Sequence, residues 1–464
     1  MASLLKLFRS GTAAWRGMST AAVKKEKDGT VLFRRLVALG LGNSDAKVAD
    51  VLDEWVREGH EICRSQVIAF GSQLRRFNKP HIALQLYQWM EENKRALKNS
   101  DCAFRIDLLF KTEGIASAEK YFNDLSESAR TKKTYGALLY CYCQGKMLEE
   151  ATQLFQKMAE LNFHATALNY NNMMALYVKI GQPEKVPLLF QEMKEKNIAP
   201  DLYTYNQLMN SYAALKDIDA VEGVLQRMES KKITYDWFTL GNLATIYFNA
   251  GLKDKAKAAL EELERLKLPK NPEAFHTLIH LYSHLSDAAG VSRAWELCKS
   301  KFTKPSNTSY LIMHLALSRL GDYDGLENLF KEWESSCSIY DSRIPNVLLE
   351  SYLKRGMIEE ASLLYESVTR RGVDPNLRMH NSYMNLCLKK RQIDLALQTL
   401  EACVCKIISE RHSWFPPQES VNAFFKYFAE EKDAVTVSKF REIMKTINRL
   451  DAETEKILDA VCLP

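Results

Sequence analysis

Residues 200–213 read PDLYTYNQLMNSYA, and residues 163–181 read FHATALNYNNMMALYVKIG. Tyr170-Asn171 stands 35 residues before Tyr205-Asn206, and both pairs open the phrase Tyr-Asn-x-x-Met-x-x-Tyr. A phrase repeated at a fixed distance points to a repeat architecture before any other fold is weighed. The tyrosines extend the pattern. Tyr142, Tyr177, Tyr212, Tyr247 and Tyr282 follow at steps of 35, and Tyr352 resumes the series after Leu317. Tyr135, Tyr170, Tyr205, Leu240, Phe275 and Tyr310 form a second series. Ala151, Val186, Val221, Ala256, Val291, Leu326, Ala361 and Ala396 form a third, and Gly181, Gly251, Gly321 and Gly356 fall on multiples of the same step. Four series locked to one period define the repeat.

The repeat at 202–236 shows what the period builds. Tyr205, Leu208, Met209 and Tyr212 lie at i, i+3, i+4 and i+7, one face of a first helix. A break follows near Lys216-Asp217, where sister repeats carry Gly181 and Gly251, residues suited to a left-handed helix end. Val221, Val224, Leu225 and Met228 mark a second helix. The repeats often close on Pro200-Asp201, Pro305-Ser306 or Pro375-Asn376: proline stops the second helix, and Asp, Ser or Asn can cap the next. The small residue of the third series lets the second helix approach the first, with Leu326 as the larger exception. One hairpin cannot bury its apolar face alone, but stacked neighbours can. The expected fold is all-α: a right-handed α-solenoid of about ten 35-residue helix-turn-helix repeats.

The expected boundaries follow. Residues 30–63 form an N-terminal helical cap. The solenoid spans 64–453, with repeats near 64–98, 99–131, 132–166, 167–201, 202–236, 237–271, 272–306, 307–341, 342–376, 377–418 and 419–453, and a tail at 454–464. The repeat at 99–131 is shortened, and that at 377–418 carries an insertion near CVCKIISERHSW. Residues 1–25 differ from the rest. They carry Lys6, Arg9, Arg16, Lys24 and Lys25, no acidic residue, and many Ser, Thr and Ala, the composition of a mitochondrial transit peptide.

Composition narrows the function. The chain of 464 residues carries a net charge of +5, which permits a polyanionic partner without demanding one. No apolar run is long enough to span a bilayer, so no membrane partner is expected. The ten cysteines contain no C-x-x-C and suit a reducing compartment. No Gly-rich phosphate cradle is present, nor the His-x-Glu and Cys-Pro-x-x-Cys set of a zinc deaminase. Cys141 and Cys143 sit about 200° apart on one helix and cannot converge on a metal. Cys403, Cys405 and His412 lack an evident fourth ligand, and His276, His280 and His284 read as one polar helix face. The chain is therefore expected to be non-catalytic, with no cofactor and no metal site.

Thr-Tyr-Asn openings, central Gly, Glu-Glu-Ala or Asp-x-Ala entering the second helix, Phe-x-x-Met and Pro-Asp endings make these repeats resemble pentatricopeptide repeats, most clearly at 167–201. The resemblance covers residues 64–453. It is to the plain class of plant mitochondria, with a likeness also to members found in plant mitochondrial ribosomes. It implies binding of single-stranded RNA, one base per repeat. The fifth and last residues of a repeat would read the base: Asn171 with Asp201, Asn206 with Asp236, and Asn346 with Asn376. An Asn amide offers an acceptor and two donors to a Watson-Crick edge. In the family Asn with Asp favours uracil and Asn with Asn favours cytosine. The same residue types also serve as helix caps and turn residues. Gly136/Thr166, Gly241/Asn271, His276/Ser306, Leu311/Asp341 and Asn381/Gln418 depart from the pattern. Lys179, Arg319, Lys354 and Lys389 share one position near the end of the first helix, where the family meets the RNA backbone. Ala214, Asn249 and His284 interrupt that stripe. Three functions remain in play: a mitochondrial RNA binder (mRNA or rRNA) in organelle RNA metabolism or translation, a structural part of the mitochondrial ribosome among its proteins, and a protein–protein adaptor.

Overall fold

The computed structural model describes residues 30–39, 47–93, 98–163, 166–268, 271–410, 415–447, 455–456 and 458–459. The expected transit segment, 1–25, and most of the tail lie outside the described residues. Among the described residues every regular element is a helix and no strand occurs. Two compact halves, Met1–Tyr235 and Asp236–Pro464, divide the chain.

Within each half the helices alternate. First helices run over Lys132–Gln144, Ala167–Lys179 and Leu202–Ala214 in one half, each followed by a second helix at Leu148–Glu160, Lys185–Glu195 and Ile218–Ser230. The other half repeats the scheme at Trp237–Asn249, Pro272–His284, Asn307–Leu320, Arg343–Lys354 and Leu377–Lys389. Each first helix packs on its own second helix and, within a half, on the first helix of the neighbouring repeat. The inserted residues near 403 lengthen one second helix, Ile393–Glu410, to 18 residues.

The periodic positions do different jobs. Every member of the third series, from Ala151 to Ala396, is at most 1% exposed, Leu326 included. The second series from Tyr135 to Tyr310 is likewise buried. Left-handed backbone recurs at the hairpin break, at Lys146, Gly181, Lys216, Gly251, Ser286, Gly321, Gly356 and Arg391. Half of these lack glycine, so the fold imposes the turn even where a Cβ opposes it by roughly 1 kcal/mol. The turn returns a backbone N–H to the end of the first helix, as from Asp217 to the Tyr212 carbonyl at 2.9 Å.

Candidate nucleic-acid interface

The last residue of a repeat begins the next first helix. Asp201 accepts from the Thr204 N–H and from the Thr204 hydroxyl, both at 2.8 Å. Asp236 does the same for Thr239, at 2.8 and 2.7 Å. Asn376 accepts from the Met379 N–H at 2.9 Å. Capping thus falls to the last position, whereas Asn171, Asn206 and Asn346 lie inside their helices. A cap leaves a carboxylate its second oxygen, so capping and base contact are compatible uses of one Asp.

The three candidate asparagines are 1%, 1% and 4% exposed. Their amides are aimed differently. Asn171 donates to Asp201 Oδ1 at 3.1 Å, so this pair is assembled. Its Oδ1 is buried without a partner. Asn206 donates to the Leu202 carbonyl at 2.9 Å. Its companion Asp236 belongs to the other half of the chain. Asn346 donates to Glu350 at 3.0 Å rather than to Asn376, whose own amide reaches Ser342 Oγ at 3.2 Å. The Asn346 Oδ1 is also an orphan. A buried polar atom without a partner costs about 1–3 kcal/mol, so each orphan is a cost that the contacts within the chain do not relieve.

The Asn171–Asp201 pair opens on a cavity of about 790 Å³. Arg75, Lys132 and Lys133 bring positive charge to it, and Asp107 lies at its wall in ion pairs with Arg75 and Lys111. Leu168 and Tyr203 also line it, 65% and 44% exposed. They stand 35 residues apart at the second position of adjacent repeats, and Phe238, 45% exposed, is the next in register. Tyr203 and Phe238 are exposed aromatic side chains, the type on which bases can stack, and Leu168 is an exposed aliphatic one. Reasoning from buried positions passed over them. The register carries them all the same, as an apolar or aromatic residue at the second position of three successive repeats.

The four cations are exposed on the ends of their helices. Lys179 donates to Gln144 Oε1 at 2.8 Å, and Arg319 to Ser283 Oγ at 2.9 Å. Neither neutral partner quenches the charge. Lys389 lines a cavity of about 470 Å³ with Arg391 and Lys426, where Arg391 is paired to Glu430 and Glu431. Among the departing repeats, Asp341 is clamped by Arg343 at 2.9 and 2.7 Å, and His276 meets Ser309 Oγ at 2.9 Å. The helix after the insertion starts at Gln418 with Pro417 at its cap, one residue earlier than the expected repeat boundary. Asn381 there meets Ser420 Oγ at 3.4 Å.

Among the described cysteines six are buried as apolar groups, while Cys63 and Cys405 are exposed and Cys337 is half-buried. Burial pushes the thiols of Cys141, Cys143 and Cys403 up to about 12. Among the described residues no group of three or more His, Cys, Asp or Glu side chains is placed to hold a metal ion, and His412 lies outside them. Burial and neighbouring positive charge hold His280 and His284 below the usual histidine range. Among the described residues no helix is long and apolar enough to cross a membrane.

Comparison with known proteins accounts for the geometry. The model of the PPR repeat family matches residues 165–214, and that of the PPR repeat matches 133–163, 203–233 and 344–373. A mitochondrial pentatricopeptide repeat-containing protein of Arabidopsis thaliana is 37% identical over 451 residues, 97% of this chain and 89% of the relative. The chain belongs to the pentatricopeptide repeat family. Also similar is the large ribosomal subunit protein mL101 (rPPR4) of Arabidopsis thaliana, 38% identical over 405 residues, 87% of this chain and 82% of that one. Among solved structures, the pentatricopeptide repeat protein PPR10 in complex with an 18-nt psaJ RNA element matches with a TM-score of 0.52 and 15% identity. That match covers 97% of this chain, which spans 64% of the length of the solved one. It establishes the solenoid fold.

Proposed function

We propose that this chain is a non-catalytic pentatricopeptide repeat protein that binds single-stranded RNA in mitochondria, in organelle RNA metabolism or translation. The observation that carries the reading is the assembled Asn171–Asp201 pair. It combines a buried acceptor without a partner, flanking stacking residues and three cations on one cavity. Nothing in a protein core needs that combination, whereas a base needs all of it: an edge to pair, a face to stack on and a phosphate to neutralise. Asn206 with Asp236 and Asn346 with Asn376 are proposed as further base readers. Lys179, Arg319, Lys354 and Lys389 are proposed as backbone contacts. The mitochondrial assignment is supported by relatives named as mitochondrial and by the composition of residues 1–25, proposed as the import segment. The test is selection of the purified chain against a random single-stranded RNA pool at physiological salt. Enrichment of a short motif containing U-U supports the reading, binding without any motif removes the proposed base readers, and absence of binding overturns the reading.

A second reading is a structural place in the mitochondrial ribosome. The likeness to mL101 over most of both chains favours it, together with the departing pairs at 237–341. It is tested by co-sedimentation with a ribosomal subunit through a salt wash. A predominantly free pool would count against it.

A further inference from the structure

The repeat at 132–166 has Gly136 at its fifth position and so offers no side chain to a base. The space is nevertheless filled. A Cβ built on Gly136 would lie 3.3 Å from Nδ2 of Asn169, a residue of the following helix. Asn169 stands where Thr134, Thr204, Thr239 and Ser309 stand in other repeats. There the hydroxyl serves the cap: Thr134 Oγ1 accepts from the Thr131 N–H at 2.8 Å, and Thr204 Oγ1 from the Asp201 N–H at 3.1 Å. Asn169 keeps that role with its carbonyl oxygen, which accepts from the Thr166 N–H at 3.1 Å and from the Thr166 hydroxyl at 2.5 Å. The amide nitrogen is left over. Both Asn169 and Thr166 line the cavity that holds Asn171 and Asp201.

We infer that Asn169 takes the place of the missing fifth residue, so that Asn169 with Thr166 reads the nucleotide next to the one read by Asn171 with Asp201. The inference rests on the RNA-binding reading above. The Asn169 oxygen is used twice within the protein, and its position is fixed by 5% exposure and two hydrogen bonds. Only the N–H donors of this side chain are left to offer to the cavity. Such a group pairs with a base acceptor: on the Watson-Crick edge adenine offers ring N1 alone, whereas uracil, cytosine and guanine offer a carbonyl oxygen with two lone pairs. The expected readout is therefore a bias against adenine rather than choice of a single base. Two adjacent readers become three, and a repeat that looks empty by its own fifth residue becomes specific through its neighbour.

The full chain and its Asn169→Thr variant are selected in parallel against a random single-stranded RNA pool. Threonine is the residue of the sister repeats and preserves the cap, so this variant keeps the fold. Far-ultraviolet circular dichroism and the melting temperature confirm that. The wild type is expected to enrich U-U with adenine depleted roughly threefold to tenfold at one flanking nucleotide, the discrimination of about one hydrogen bond. Asn169→Thr is expected to keep U-U and lose the depletion. Asn169→Asp, which exchanges the donor for an acceptor, is expected to abolish the bias against adenine. U-U enrichment with an indifferent flank, or a depletion that survives Asn169→Thr, overturns the assignment and leaves the RNA-binding reading intact. Absence of binding by the wild type overturns both.

Discussion

The repeats at 132–236 and those at 237–341 share one skeleton and differ in what they show to a ligand. Ala151 and Val186 are as completely buried as Ala256, Val291 and Leu326, and Tyr135 and Tyr170 are matched by Leu240, Phe275 and Tyr310. The groove positions diverge. The first region has an assembled Asn171–Asp201 pair beside the exposed Leu168 and Tyr203. The second has Gly241, His276 and Leu311 at the fifth position, with Asp341 clamped by Arg343. Packing constrains the inward positions because a solenoid repeat must fit its neighbours on both sides. At the fifth and last positions the same skeleton accepts different residues, with capping the one structural task that Asp201, Asp236 and Asn376 share. The comparison predicts that substitutions in the skeleton cost the same in both regions while substitutions in the groove do not.

The largest effects belong to the skeleton. Tyr205→Ala and Phe275→Ala each empty a site that is 1% exposed. Each is expected to destabilise its repeat by about 3–5 kcal/mol, the usual cost of an aromatic truncation in a core. Hydrogen exchange resolves the loss repeat by repeat. A loss at Phe275 much smaller than at Tyr205 would mean that the skeleton, too, has drifted in the second region.

A buried histidine offers the next test. Position 314 is fully buried, and its counterparts in the other repeats are Leu139, Met174, Met209, Ala244, Ile279, Leu349 and Met384, all apolar. His314 Nδ1 donates to the Tyr310 carbonyl at 2.7 Å, while Nε2 is buried without a partner. Burial lowers its pKa to about 4. An unfolded chain takes up the proton first as pH falls. The stability held above the ordinary histidine pKa of 6.5 is therefore lost progressively between pH 6.5 and about 4. The loss reaches about 3 kcal/mol from this residue. His314→Met, which restores the apolar register, is expected to remove that acid-sensitive component of unfolding and to leave the protein at least as stable at pH 7. A wild type whose midpoint does not move between pH 7 and 5 would contradict the burial of a neutral imidazole.

How much could be read beforehand follows the same division. The period, the small residue of the second helix and the left-handed break are dictated by packing, so Val221 and Gly181 announce themselves in the sequence. The capping role of Asp201 and Asp236 is legible from residue type. What the amides do is not. Asn171, Asn206 and Asn346 occupy equivalent positions, yet they donate to Asp201, to the Leu202 carbonyl and to Glu350 respectively. A side-chain torsion chooses between acceptors a few ångströms apart, and a one-letter code cannot record that choice. Asn169 is hidden for a related reason. Its use depends on an absence at Gly136, in the preceding repeat.

The groove itself carries smaller effects. Asn171→Ala removes one reader and is expected to weaken binding to a U-U RNA by about tenfold, within the 1–3 kcal/mol assigned to a base contact. Leu311→Ala, at the same position of a departing repeat, is expected to change affinity by less than about twofold, because its side chain makes no base hydrogen bond. Fluorescence anisotropy with a short labelled RNA measures both. Equal losses at the two positions would erase the distinction between the regions and favour a uniform, sequence-blind groove.

The smallest effect separates charge from reading. Lys179 and Lys354 lie on exposed helix ends at one repeat position, which Ala214 and Asn249 occupy elsewhere. A lysine that meets a phosphate releases a counterion, so removing it lowers the slope of log affinity against log salt by about 0.7 for a single strand. Lys179→Ala is expected to show that change with base preference intact. Lys354→Ala should do so only if the RNA reaches the repeat that holds Asn346. A flat response at Lys354 beside a full response at Lys179 would mean that the RNA stops short of the repeat at 342–376. It would remove Lys354 and the Asn346–Asn376 pair from the proposed contacts and leave that repeat as a surface for something other than nucleic acid.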